Sequence, residues 1–214
     1  MTESRRIPIV EKITSANDFV AQENREIFKQ NGVFAINIMA APGAGKTALI
    51  VKTIELLKDR LRIGVIEGDT ASVTIDADRV LLAGAPAVQV TSKGECHMDA
   101  LMVREGMKQL DLAALDLVII PAGWDLGSQS CALISSVTEG DDKPYKYPAI
   151  YRNLDVLLVS KTDLLPYVDF NLSYFQQGVE MLNPGLITFT TSAKTGDGMQ
   201  PWLDWLLSKC QGQP

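Results

Sequence analysis

The chain has 214 residues, 46% of them hydrophobic, and carries a formal net charge of −6. That size and apolar share suit one α/β domain with a sizeable core, while the acidic balance lacks the basic footprint that a phosphate backbone requires, which excludes nucleic acid as a partner. No apolar segment precedes a cleavage site at the N-terminus, no stretch approaches the ~18 apolar residues of a membrane span, and Cys96, Cys131 and Cys210 are odd in number and far apart. The expectation is a cytoplasmic protein with reduced thiols and no membrane contact.

Taken in chain order, Thr14 to Lys29 spaces its apolar residues as an amphipathic helix, stopped by Asn31-Gly32. The apolar run "VFAINIM" then has strand length. Helix from Lys46 to about Lys58, strand "RIGVIEG", helix near Asp76 to Leu82, strand "AVQV", helix from about Met98 to Leu110 and strand "LDLVII" continue the alternation. Strands "ALISSV" and "DVLLVS", a helix near Asn171 to Met181, strand "LITFT" and a helix through "MQPWLDWLL" complete it. Such alternation predicts a mostly parallel sheet covered by helices on both faces, a three-layer α/β architecture. A single domain is expected over residues 1–214, with residues 1–31 as a helical segment packed on it. In such folds ligands bind in the loops after the strands.

The first of those loops, "AAPGAGKT" from Ala40 to Thr47, lies between a predicted strand and a predicted helix, as in a P-loop NTPase. Ala40 stands where the usual pattern has its first glycine. Gly43 and Gly45 let the N–H groups of the Gly43–Ala48 stretch, Ala44 included, turn onto phosphate oxygens; Lys46 offers a charge to the β and γ phosphates, and Thr47 a hydroxyl to Mg²⁺. Asp69, in "EGDT", is a candidate for holding Mg²⁺ through water.

Two later loops address the base. In "SKTD", Ser160 to Asp163, a carboxylate at Asp163 accepts from both N1–H and the exocyclic amine of guanine, whereas adenine has no N1–H. Lys161 lays its stem over the purine, and the backbone of "SAK", Ser192, Ala193 and Lys194, donates to guanine O6. The alternative for Asp163 alone is a helix cap.

"APGAGKT", "VIEGDTA" with "DADR", "GAPAVQV", "CHMDA", "SVTEGDDKPYKYP", "SKTDLLPYVDF" and "TSAKTGDGM" together resemble the nickel-incorporation GTPases of hydrogenase maturation, the HypB family, relatives of urease accessory GTPases in the SIMIBI class of P-loop proteins. The resemblance covers most of the chain. It implies a GTP-regulated homodimer that handles Ni²⁺ or Zn²⁺, delivers nickel to a hydrogenase large-subunit precursor, and works beside a small HypA-like nickel chaperone. It also implies a metal at the dimer interface, held by the Cys-His pair, here Cys96 and His97. Two adjacent ligands leave a tetrahedral site half filled, and a two-fold axis doubles them. The blander account keeps Cys96 as a buried thiol on the face of Ala100, Val103 and Met107, and His97 as a surface residue.

The chain departs from that family in three places. The resemblance leads one to expect a Glu after the strand "LDLVII" and a further metal-binding Cys, but the chain passes from Ile120 into "PAGWDLG". Asp125 and Cys131 are the candidate replacements. Ser160 stands where the family has Asn. No His-rich tract precedes Thr14. Three functions therefore stay open: a GTP-hydrolysing nickel chaperone, a guanine-nucleotide scaffold with little hydrolysis, and the same role for urease or another nickel enzyme.

Overall fold

The computed structural model describes residues 9–69, 75–91, 98–123 and 125–212. Seven strands lie among them: β1 (Phe34–Ala40), β2 (Ile63–Asp69), β3 (Ala87–Thr91), β4 (Leu117–Ile120), β5 (Ser130–Ser136), β6 (Val156–Ser160) and β7 (Ile187–Thr190). They pair in the order β3-β2-β4-β1-β5-β6-β7, and every ladder is parallel. A parallel sheet is buried on both faces, which is why the strands appear in sequence as continuous apolar runs.

The helices are α1 (Ile9–Gln30), α2 (Lys46–Leu57), α3 (Ile75–Ala83), α4 (Ala100–Met107), α5 (Lys143–Lys146), α6 (Pro148–Tyr151), α7 (Leu172–Leu182) and α8 (Met199–Gln211). Period-two alternation divides β1 between two cores. Phe34, Ile36 and Ile38 face α2, α3 and α8, where they join Leu49, Ile54, Val80 and Trp202. Ala35 faces the opposite side, where Phe28 of α1, Val103 and Met107 of α4 and Val118 and Ile120 of β4 pack. A third cluster, Leu133, Leu157, Val159, Tyr151 and Phe175, seats α6 and α7 on β5 and β6. The buried indole N–H of Trp202 donates to Thr53 Oγ1 at 3.0 Å, so this bulky ring enters the first core without an unpaired donor.

Two helix boundaries differ from those read in the sequence. α1 is longer, because no glycine or proline interrupts residues 9–30. α4 is shorter and begins at Ala100, because Asp99 takes an extended conformation and accepts from the Met102 N–H at 2.8 Å as its N-cap. No described helix is long and apolar enough to cross a membrane.

Candidate nucleotide site

β1 sits between β4 and β5, so the chain leaving its carboxyl end enters a crevice between neighbours that run on to opposite halves of the sheet. The loop there turns through Gly43 (φ 79°) and Gly45 (φ 95°), conformations that side chains disfavour. Gly45 is the N-cap of α2 and brings no side chain to its first turn. The helix therefore presents the N–H groups of Lys46, Thr47 and Ala48 and its partial positive charge with no residue of its own capping them. An ideal Cβ at Gly43 would meet nothing within 4 Å, so the loop is open to an approaching group on that side. This arrangement fits phosphate oxygens.

The loop after β6 is fastened to the loop after β1. Ser160, buried at the end of β6, donates its hydroxyl to the Ala44 carbonyl at 2.8 Å. Lys161, the only non-glycine with positive φ among the described residues, donates from Nζ to the Gly43 carbonyl at 2.6 Å. Next to it Asp163 Oδ1 accepts from the Ser192 hydroxyl at 2.7 Å. Between these loops lies a cavity of about 290 Å³ lined by Ala44, Gly45, Ala48, Ser160, Lys161, Asp163, Ala193 and Lys194. Ser192 is not among the lining residues. Its N–H donates to the Asp197 carbonyl at 2.9 Å, and it is fully buried, so it acts on this cavity through Asp163. That use of Ser192 was not evident in the sequence, which suggested its backbone N–H as a donor to the base.

On the phosphate side, Lys46 Nζ donates to the carbonyl of Pro121, the residue after β4, at 3.2 Å. Lys46, Met39, Gly68, Met98, Pro121 and Gly123 line a second cavity of about 350 Å³ there. Thr47 is half-buried on the first turn of α2. Asp69 is the last residue of β2, a carboxyl-end position on the same side of the sheet.

The two candidate replacements are placed elsewhere. Asp125 points to α1, where both carboxylate oxygens accept from Arg25, at 3.0 and 3.1 Å, and Oδ1 also takes the Gly127 N–H. Cys131 lies within β5 opposite Asn37 of β1, not on a loop able to swing. Burial first, and then the carboxylates of Asp155 and Asp125, push its thiol up to about 12, the reverse of what a thiolate ligand needs. Cys96 and His97 lie outside the described residues. Among the described residues no group of three His, Cys, Asp or Glu side chains is arranged to hold a metal.

The family described as "CobW/HypB/UreG, nucleotide-binding domain" matches residues 34–127, which span β1, the phosphate loop and the chain through β4. The hydrogenase maturation factor HypB of Rhizobium leguminosarum bv. viciae is 42% identical over 214 residues, covering 96% of this chain and 71% of that one. This chain belongs to the HypB family. Among solved structures, HypB from Archaeoglobus fulgidus superposes with a TM-score of 0.84 at 32% identity, over 92% of this chain and 99% of that one. HypB from Helicobacter pylori in complex with nickel superposes at 0.85 and 30% identity, over 92% and 95% of the two chains. The three-layer P-loop fold is thus that of the HypB family.

A pair of asparagines in α1 was not singled out by the sequence pattern. Asn17 and Asn24 each bond the first residue of α4 and the segment after β4. The available signal was composition: Asn is a weak helix former, and two of them sit seven residues apart inside a long helix.

Proposed function

We propose that this HypB-family chain binds and hydrolyses GTP and uses the nucleotide to control delivery of nickel to a [NiFe] hydrogenase precursor. One observation carries the guanine assignment: Asp163 is held at the cavity between the two base loops, with Ser192 fixing one oxygen. A carboxylate so placed accepts from N1–H and the exocyclic amine of guanine and has no matching pair on adenine. Ala193 and Lys194, which line the cavity, bring backbone N–H groups toward O6, and the Lys161 stem covers the purine.

At the phosphates, the N–H groups of Gly43 to Ala48 cradle oxygens, and Lys46 transfers its ammonium from the Pro121 carbonyl to the β and γ phosphates. Thr47 and Asp69 hold Mg²⁺, which neutralises phosphate charge when bound. Hydrolysis adds water to the γ-phosphorus and breaks its bond to the β-bridging oxygen; Lys46 and the α2 N-terminus stabilise charge on that departing oxygen. Cys96 and His97 from each of two protomers supply the Ni²⁺ or Zn²⁺ ligands of a homodimer in the cytoplasm. A HypA-like nickel chaperone and the hydrogenase precursor are the partners. In support, the named relatives are maturation factors, and one is a nickel complex. The same role for urease or another nickel enzyme differs only in the client, which capture of the bound precursor identifies.

A second reading, a guanine-nucleotide scaffold with little hydrolysis, has its own support. β4 runs into Pro121-Ala122-Gly123, which carry no acid, and Asp125 is engaged by Arg25. Single-turnover hydrolysis of GTP separates the two readings: release above the rate without protein, abolished by Lys46→Ala, supports the enzyme, and release no faster than without protein leaves the scaffold. Titration of Ni²⁺ and Zn²⁺ into wild type and a Cys96→Ala/His97→Ala variant tests the metal role. One metal per dimer, lost in the variant, is expected; equal binding by both proteins removes the pair from the site.

A further inference from the structure

Asn17 and Asn24 are seven residues apart on α1, two turns, and so share one face of the helix. Each joins the same two segments. Asn17 Oδ1 accepts from the Ala100 N–H at 2.9 Å, and its Nδ2 donates to the Asp125 carbonyl at 2.9 Å. Asn24, fully buried, donates from Nδ2 to the Ala100 carbonyl at 2.7 Å and to the Leu126 carbonyl at 3.0 Å. Its Oδ1 accepts from Arg104 Nε at 2.9 Å, which fixes the amide orientation. Both polar groups of Ala100, the first residue of α4, are therefore held by α1, and so are two successive carbonyls after β4.

The segment after β4 has further ties to the same helix. Arg25 Nε donates to the Ser128 carbonyl at 3.1 Å, and Gly127 backs so closely onto α1 that a Cβ would lie 2.4 Å from the Ala21 carbonyl oxygen. At its other end this segment begins with Pro121, whose carbonyl receives Lys46. The Arg25–Asp125 pair is exposed and contributes little. The carboxamides of Asn17 and Asn24 and the tight contact at Gly127 carry the connection.

We propose that the two asparagines couple the nucleotide-sensing end of β4 to the first turn of α4, so that recruitment of Lys46 by a triphosphate repositions Ala100. The proposal rests on the nucleotide reading above. Ala100 follows Cys96 and His97 by four and three residues, so a shift of Ala100 moves the anchor of the chain that carries the proposed metal pair. A rigid element with two attachments transmits such a shift because packed interiors do not deform continuously.

Hydrogen exchange over residues 98–103, read with GDP and with a non-hydrolysable GTP analogue, tests this. In wild type the exchange rates in the two nucleotide states are expected to differ by roughly fivefold or more. In Asn17→Ala, where Asn24 still anchors the fold, the difference is expected to fall below about twofold, while the phosphate-loop peptide keeps its protection. Asn24→Leu is expected to behave in the same way. A difference of full size in both variants overturns the coupling, as does an unresponsive first turn of α4 in wild type whose phosphate loop is protected. Failure of guanine nucleotide to protect the phosphate loop at all overturns the nucleotide reading, and the coupling with it.

Discussion

The hydroxyl of Ser160 donates to the carbonyl of Ala44 at 2.8 Å, joining the end of β6 to the phosphate loop across 116 residues of sequence. Ser160 stands where the family has Asn, and its hydroxyl is shorter than an amide and has one proton to give. The reach is sufficient: Ser160 is buried and directly against the loop, and Lys161 adds a second tie to Gly43.

Ser160→Ala removes the donor and leaves the Ala44 carbonyl facing a methyl group. Such a loss costs about 1 kcal/mol, so GDP and GTP affinity measured by calorimetry is expected to fall about fivefold. Unchanged affinity would mean that the loop is held in place by Lys161 alone.

Asp163→Asn keeps the shape of the side chain and the bond from Ser192 but exchanges an acceptor for an amide donor. Guanine then meets a donor at its exocyclic amine, whereas xanthine presents a carbonyl there. Hydrogen bonds to a charged group contribute about 1.5–3 kcal/mol each, so GTP affinity is expected to fall by about a hundredfold or more and XTP to become the preferred ligand. Equal loss of both nucleotides in a competition assay would place Asp163 outside base recognition. Ser192→Ala is expected to give a smaller loss of the same sign, because it frees one oxygen of Asp163 without removing the charge.

The sheet was legible because its strands are buried on both faces, which leaves continuous apolar runs such as "VFAINIM" and "DVLLV" standing out between helices. The phosphate loop was legible because glycines at Gly43 and Gly45 are demanded by backbone geometry rather than by packing. The single-turn helices α5 and α6 were not, since Pro144 and Pro148 read as breakers but occupy first-turn positions, where a missing N–H costs nothing. Their family-marked segment has a structural use: Ser136 and Glu139 form a capping box, Asp141 accepts from the Asn171 N–H, and Tyr145 stacks on Tyr174 of α7 at 4.6 Å. The commitment of Asp125 to Arg25 and the clamp of Asn17 and Asn24 depend on contacts between residues about 75 to 110 apart, which no local pattern encodes.

Cys131 and Cys210 have thiols pushed up to about 12 from 9.0, chiefly by burial. Three units correspond to roughly a thousandfold less thiolate in the folded chain at neutral pH. Alkylation by iodoacetamide at pH 8 is expected to be slower by that order in the native protein than in guanidinium, for both residues. The linkage has a fixed sign. Between about pH 9 and 12 the unfolded chain loses these protons while the folded chain keeps them, so folding stability falls as pH rises through that window. Melting temperatures that stayed flat from pH 8.5 to 11 in wild type, or fell equally in Cys131→Ser/Cys210→Ser, would contradict the burial of these thiols.

Gly127 has φ 95°, and a Cβ built there would lie 2.4 Å from the Ala21 carbonyl oxygen and 2.5 Å from Asn24 Cβ. Both partners belong to α1, one a backbone atom and the other fixed by three hydrogen bonds at its amide, so neither yields by a simple rotation. Gly127→Ala therefore adds left-handed backbone strain of about 1–2 kcal/mol to a separation of the segment from the helix. A melting temperature lowered by at least about 5 °C is expected for a chain of this length. Gly123→Ala is the control, because its Cβ would meet nothing within 4 Å and its φ is not positive. Equal melting of the two variants would show that residues 125–128 do not rest on α1 in solution, and the path from Pro121 to Ala100 would lose its middle step.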